Sequence, residues 1–274
     1  MDVTIRVNDV SVRAHKIVLS AFSRYFEALF HSGMSDAGRD EISLPEIHVS
    51  GTAIKLLVEF AYCGTLEITP ENNQDLLVGA NFLCIDSVIR ACCTYLHGNL
   101  SIENCVDVLE LAVSLDQLQL QQNVESFMIL HFEEFVQQEI FLKMPVKQLL
   151  GLLEKDELTV LENGFCVSTV EQEEKILKVI LRFVEAKPEV NHEHLPLLLS
   201  HGVRLMLLPL SVLVSLKSSS WIMSSPECLK LLNRIITSEM NSVEQNCWKR
   251  PRLSIGKWYI EQPSTDLRVE VCSV

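Results

Sequence analysis

Polarity alternates at the start of the chain. In DVTIRV, Val3, Ile5 and Val7 share one side of an extended strand, and VSVRA follows after the turn residues Asn8-Asp9, so the two runs predict a β-hairpin. From His15 the spacing lengthens to three or four, with Val18, Leu19, Phe22, Tyr25, Phe26, Leu29 and Phe30 on one helical face until Gly33 ends it. EISLP supplies one more short strand before Pro45, and GTAIKLLVEFAYCG gathers Ile54, Leu57, Val58 and Ala61 on a helical face that Gly64 closes. Thr69 before Pro70 predicts a capped helix start, and NNQDLLVGANFLCI and SVIRACCTYLHGNL then read as two helices. Short strands and helices in this mixture make residues 1–98 a small α+β domain.

Beyond GNLS the strand signal nearly vanishes. With Ser101 as N-cap, NCVDVLELAVSL, QLQQNVESFMILHFEEFV, PVKQLLGLLEK and KILKVILRFVEA keep helical spacing, which predicts an all-helical second domain over residues 99–240. LENGFCVSTVEQEE, at 161–174, interrupts it with glycine, polar residues and an acidic cluster, and reads as an inserted surface loop before a helix at 175–186. Residues 241–274 hold strand-like pieces too few to close a sheet and read as an unfinished unit or a tail.

Composition narrows the function classes. A chain of 274 residues with 48% hydrophobic positions can bury a sizeable core and suits two ordinary domains. The net charge of −13 opposes a nucleic-acid partner, because binding a polyanion needs clustered Lys and Arg to displace its counterions. Lys249, Arg250, Arg252 and Lys257 form a local exception that reads as a localisation signal or, better, a flexible connector. MDVTIRVNDV lacks the apolar core of a signal peptide, and LMLLPLSVLVSL at 205–216 is too short to span a bilayer, so no membrane association is expected. Nine cysteines, mostly within apolar helical patterns such as RACCTYL, behave as small hydrophobes and point to reduced thiols in the cytosol or nucleus.

Catalytic and cofactor signatures are missing from the sequence. There is no G-x-S-x-G elbow, cysteine-protease signature, G-x-x-x-x-G-K-[ST] loop or G-x-G-x-x-G fingerprint, so an enzyme and a nucleotide cofactor are not expected. Cys92 and Cys93 are adjacent and diverge by about 100° on a helix, which suits two core thiols better than zinc ligands. His192 and His194 lie between Pro188 and Pro196 in an expected loop, where a solvated linker is the simpler reading than a shared metal. His15 heads an apolar helix as a capping or half-buried structural histidine, and Phe22, Tyr25, Phe26 and Phe30 have the spacing of a core face. Met34, two places before Asp36, either folds back to fill a gap or meets a partner.

The order D-V-T, A-H-K-x-V-L, S-x-Y-F, FAYCGTL over residues 1–98 resembles a BTB/POZ domain. NLSIENCVDVLELA, HFEEF, LKMPVKQLLGLLEKDELTV and LPLLLSHGVRLMLLPLSVL, over about residues 101–238, resemble the BACK domain of Kelch-like proteins. The resemblance implies an adaptor rather than a catalyst. In that family BTB–BACK chains dimerise and hold the N-terminal region of cullin-3, while C-terminal Kelch repeats recruit a substrate for ubiquitylation. The family's cullin motif, a hydrophobic residue followed two places later by an acid, falls on Met34 and Asp36, with Asp36 one methylene shorter than the usual Glu. Further contacts implied by the resemblance are Tyr62, Asn104, Val108 and Leu109.

Two features of the family have no counterpart here: the amphipathic helix before D-V-T that crosses to the other subunit of the homodimer, and the Gly-Gly and aromatic repeats of a Kelch propeller. The expectation is therefore a truncated or variant Kelch-like adaptor of a cullin-3 ubiquitin ligase, acting as a regulator that competes with full-length receptors. The alternative is a BTB–BACK scaffold or transcription-associated protein that self-assembles and ignores cullin.

Overall fold

The computed structural model describes residues 1–31, 40–46, 48–158, 161–162, 165–166, 168–240 and 269–270. They fall into two compact units, one comprising residues 1–100, 111–120 and the strand Val269–Glu270, the other the described residues of 101–110 and 121–260.

The first unit is α+β. Strands β1 (Val3–Val7) and β2 (Val10–Ala14) pair antiparallel with Val7 opposite Val10, so Asn8-Asp9 is the whole turn. Asn8 takes a left-handed φ of 48°, a conformation asparagine tolerates better than most residues. Helices α1 (Lys16–Phe22) and α2 (Arg24–His31) follow, and β3 (Glu41–Ser43) returns parallel to β1, with Ile5 opposite Ile42. The sheet order is β2-β1-β3.

Helix α3 (Gly51–Cys63) starts where the Ser50 hydroxyl accepts the Ala53 amide at 3.1 Å and ends at Gly64, φ 71°. Its inner face, Ala53, Ile54, Leu57, Val58 and Phe60, is buried with Val3, Ile5, Leu19 and Phe26 in one core. Each Leu, Ile or Phe so removed from water contributes roughly 1.5–3 kcal/mol. Gly51 is required by proximity, since a Cβ there would stand 2.5 Å from a Val10 methyl. After α3 come β4 (Thr65–Leu66), α4 (Asn73–Phe82) and α5 (Asp86–Gly98). The expected helix start at Thr69-Pro70 is instead a turn in which Asn72 Oδ1 accepts the Thr69 amide at 2.8 Å, so α4 begins only at Asn73. Buried Ser23 ties α2 to the α4–α5 connection, its hydroxyl donating to the Leu83 carbonyl at 2.6 Å.

The second unit is largely helical. In chain order the helices are α6 (Cys105–Ser114), α7 (Leu118–Leu130), α8 (Phe132–Phe135), α9 (Val146–Leu153), α10 (Thr169–Ala186), α11 (Pro188–Asn191), α12 (Leu195–Leu197), α13 (Leu210–Lys217), α14 (Ser220–Met223) and α15 (Pro226–Met240). Residues 111–120 of α6 and α7 count with the first unit. Helix α10 carries the core, with Ile176, Leu177, Ile180, Phe183 and Val184 buried and the Phe183 ring 5.6 Å from that of Phe141.

Two expectations for this half are corrected. Residues 161–174 are not one loop: β5 (Leu161–Glu162) and β6 (Phe165–Cys166) pair antiparallel, and α10 begins at Thr169 rather than 175. The reason is a helix start already present in the sequence. Ser168 accepts the Glu171 amide at 3.3 Å, and the acidic cluster supplies the first turn, where the helix dipole favours negative charge. Gln172 and Glu173 are then buried with partners: Gln172 donates to the Leu158 carbonyl at 2.6 Å, and Glu173 Oε2 accepts the Arg204 amide at 3.0 Å. Arg204 in turn bonds Asp156. His192 and His194 sit in a helical turn rather than a loop, with His192 Nε2 3.2 Å from the Trp221 carbonyl oxygen. At the start of α6 the Ser101 carbonyl accepts the Cys105 amide at 3.0 Å.

Two glycines separate backbone conformation from space. No atom crowds a Cβ at either Gly64 or Gly151, but only Gly64 has positive φ. Gly64→Ala is expected to lower stability by about 1 kcal/mol, and Gly151→Ala, within α9, to raise it by roughly 0.5–1 kcal/mol, both read from urea unfolding midpoints.

Candidate functional site

The end of α3 turns outward. Tyr62, one residue before its last, is 45% exposed while Phe60 two residues earlier is buried. The Tyr62 hydroxyl oxygen accepts the His15 main-chain N–H at 2.8 Å, and His15 Nδ1 lies 2.9 Å from the same oxygen. The Met1 amino group lies 2.8 Å from His15 Nε2. Both His15 contacts fall on the one tyrosine oxygen, which is thereby held in place.

This fixes what His15 does. It stands just before α1 in extended conformation, but its ring makes no capping bond to the helix; it holds Tyr62. The neighbouring Lys16 is engaged as well, its amide donating to Asp2 Oδ1 at 2.8 Å and its Nζ lying 5.7 Å from the Phe30 ring centroid. Phe30 is the penultimate residue of α2, so the point where the chain leaves α2 is tied, through Lys16 and His15, to the end of α3 that bears Tyr62. No local sequence signal couples His15 to Tyr62, which are 47 positions apart.

The other expected contact residues are placed unequally. Met34 and Asp36 lie outside the described residues. Asn104 directs its carboxamide oxygen to the Ser101 amide at 2.8 Å and so braces the approach to α6. Val108 and Leu109 are only 6% and 2% exposed, which corrects their assignment as contact residues: both side chains are already buried by this chain. On a helix two adjacent residues diverge by about 100°, so burial of both makes that side of α6 internal.

Comparison with known proteins decides the lineage. Residues 1–100 match the BTB/POZ domain family and residues 105–217 the BTB And C-terminal Kelch family, BACK. The chain belongs to the Kelch-like BTB/POZ–BACK family. It is 29% identical over 245 residues to Kelch-like protein 2 of Homo sapiens, covering 89% of this chain, and 30% identical over 253 residues to Kelch-like protein 3 of Homo sapiens, covering 92%. It spans 39% and 41% of the lengths of those two relatives. Among solved structures, the BTB domain of zebrafish PATZ1 aligns at 34% identity and a TM-score of 0.29, over 33% of this chain and 70% of that one. In this BTB–BACK chain His15, Lys16 and Tyr62 lie within the BTB match, Val108 and Leu109 within the BACK match, and Asn104 one residue ahead of it.

Among the described residues no three His, Cys, Asp or Glu side chains converge in a way that could hold a metal ion, and no helix is long and apolar enough to cross a membrane. The cysteines of the BTB–BACK chain divide by environment. Burial pushes the Cys92 thiol up to about 12 and Cys105 up to about 11, and lifts Cys93 and Cys228 as well. Cys92 is fully buried and Cys93 half-buried against the same core. Exposed Cys63 goes the other way: the Thr65 hydroxyl donates to its sulfur at 3.4 Å and lowers its pKa. Since the thiolate is the species that alkylates, iodoacetamide at pH 8 should label Cys63 at least ~10-fold faster than Cys92, as read by peptide mass spectrometry.

Proposed function

We propose that this chain is a protein–protein interaction adaptor that binds cullin-3 through Met34, Asp36 and Tyr62. The observation that carries this reading is Tyr62, 45% exposed near the end of α3 with its hydroxyl oxygen held by His15. Membership of the Kelch-like BTB/POZ–BACK family supplies the class of partner.

Each group has a separate task. The unbranched thioether of Met34 adapts to an apolar pocket on a partner helix and contributes most of the affinity. Asp36 accepts charge-assisted hydrogen bonds from the partner, with a reach one methylene shorter than a glutamate would have. Tyr62, its oxygen held by His15, meets the partner with the exposed part of its ring and hydroxyl. His15 positions Tyr62 without touching the partner. Asn104, Val108 and Leu109 brace and fill α6 from within.

A second reading, a BTB–BACK scaffold that self-associates and ignores cullin, draws on Ile17. This residue is 79% exposed on α1, with exposed Ala21 four positions on and therefore on the same helical face.

Titration calorimetry with purified cullin-3 N-terminal domain separates the two. Wild type is expected to bind; Met34→Glu, which places a charge in the apolar contact, should weaken binding at least ~30-fold, or about 2 kcal/mol, with the melting temperature unchanged. Tyr62→Phe should weaken it by roughly 3–10-fold, the loss of one hydrogen-bonding hydroxyl. Absence of a complex with wild type, together with a dimer mass by light scattering, would replace the adaptor reading with the scaffold.

A further inference from the structure

Strand β4 is an edge made ready before anything pairs with it. Gly64 turns the chain out of α3, and the next four residues alternate, Thr65 and Glu67 exposed, Leu66 and Ile68 half-buried against the core of the first unit. Anchoring Leu66 and Ile68 holds the intervening backbone extended at the surface, and an extended backbone with unpaired N–H and C=O groups is a template for another strand.

The structure contains that other strand. Val269–Glu270, β7, pairs antiparallel with β4, Thr65 opposite Glu270 and Leu66 opposite Val269. Among the described residues β4 has no further strand partner, and the pair forms a two-stranded sheet of its own. The surrounding sequence, LRVEV at 267–271, alternates apolar and charged residues as a half-buried strand requires. Two residues of ladder are too few to hold by themselves, so the pairing depends on the edge being presented rigidly.

We infer that the Thr65–Leu66 edge is a strand-docking site and that its occupant is this chain's own segment around Val269–Glu270, bound in cis. The distal segment thereby covers an edge on the first unit that would otherwise recruit an extended strand from another molecule. This does not depend on the cullin-3 reading.

Hydrogen exchange on the full chain tests it. In an antiparallel ladder one of the two facing pairs exchanges both N–H···O bonds, so one amide within Thr65–Leu66 is protected. Val269→Pro fixes φ and removes an amide from β7. The variant is expected to lose that protection by about tenfold or more while the amides of β1–β3 and α3 stay as in wild type. A synthetic peptide of residues 265–274, added to the variant, should restore the protection saturably, and wild-type protection should not change on dilution. Equal exchange at Thr65–Leu66 in wild type and variant would overturn the proposal, as would a peptide without effect on the variant. Wild-type protection that falls on dilution would overturn the cis assignment, since it would place the segment on a second copy.

Discussion

Burial of one face of α3 is the constraint on which both surface features of the first unit depend. Ile54 and Leu57 are sealed within the core, and α3 packs against β1, β2, α1 and α4. A helix so anchored delivers its last residues to a fixed place. Tyr62 emerges where His15 can hold its hydroxyl, and Gly64 redirects the chain into β4. A tyrosine on a loop would lose freedom on binding a partner, whereas this one is ordered beforehand, and preorganisation of that kind reduces what association must overcome.

Several buried polar groups within the two units have the partner that burial demands, whereas the Asn73 carboxamide is buried without one. Ser23 donates to Leu83, Gln172 to Leu158, and Asn191 to the Phe183 carbonyl at 2.9 Å. Glu173, 1% exposed, accepts the Arg204 amide, and the Arg204 side chain spans to Asp156. These bonds add little net energy each, but leaving any of them unmade would cost the full desolvation of the group. The Glu173–Arg204 bond ties α10 to the turn before Leu205, and nearby Gly202 approaches Ile180 and Leu153 so closely that a Cβ would stand 3.0 Å from either.

Periodicity was enough for the elements that bury a continuous stripe. The β1–β2 hairpin, the long α3 with its Gly64 end, and the α4–α5 pair all follow from spacing, because the local sequence alone sets which side must face the core. It was insufficient where a cap or a distant strand decides. The start of α10 was hidden by polar residues that look like a loop, although Ser168 and Glu171 have the capping-box spacing. Val269–Glu270 is strand-like in sequence, but only the distant Thr65–Leu66 edge gives it something to pair with.

What the sequence by itself determined is the α+β and helical character of the two halves, the core thiols at Cys92 and Cys93, and the family motifs, since these depend on residue types at short spacing. What only the tertiary structure decided is which candidate groups reach a partner. Tyr62 emerges with its oxygen doubly held by His15, Val108 and Leu109 turn inward, and β4 is covered by β7. Exposure and hydrogen-bond partnership are properties of distant segments brought together, and no local pattern encodes them.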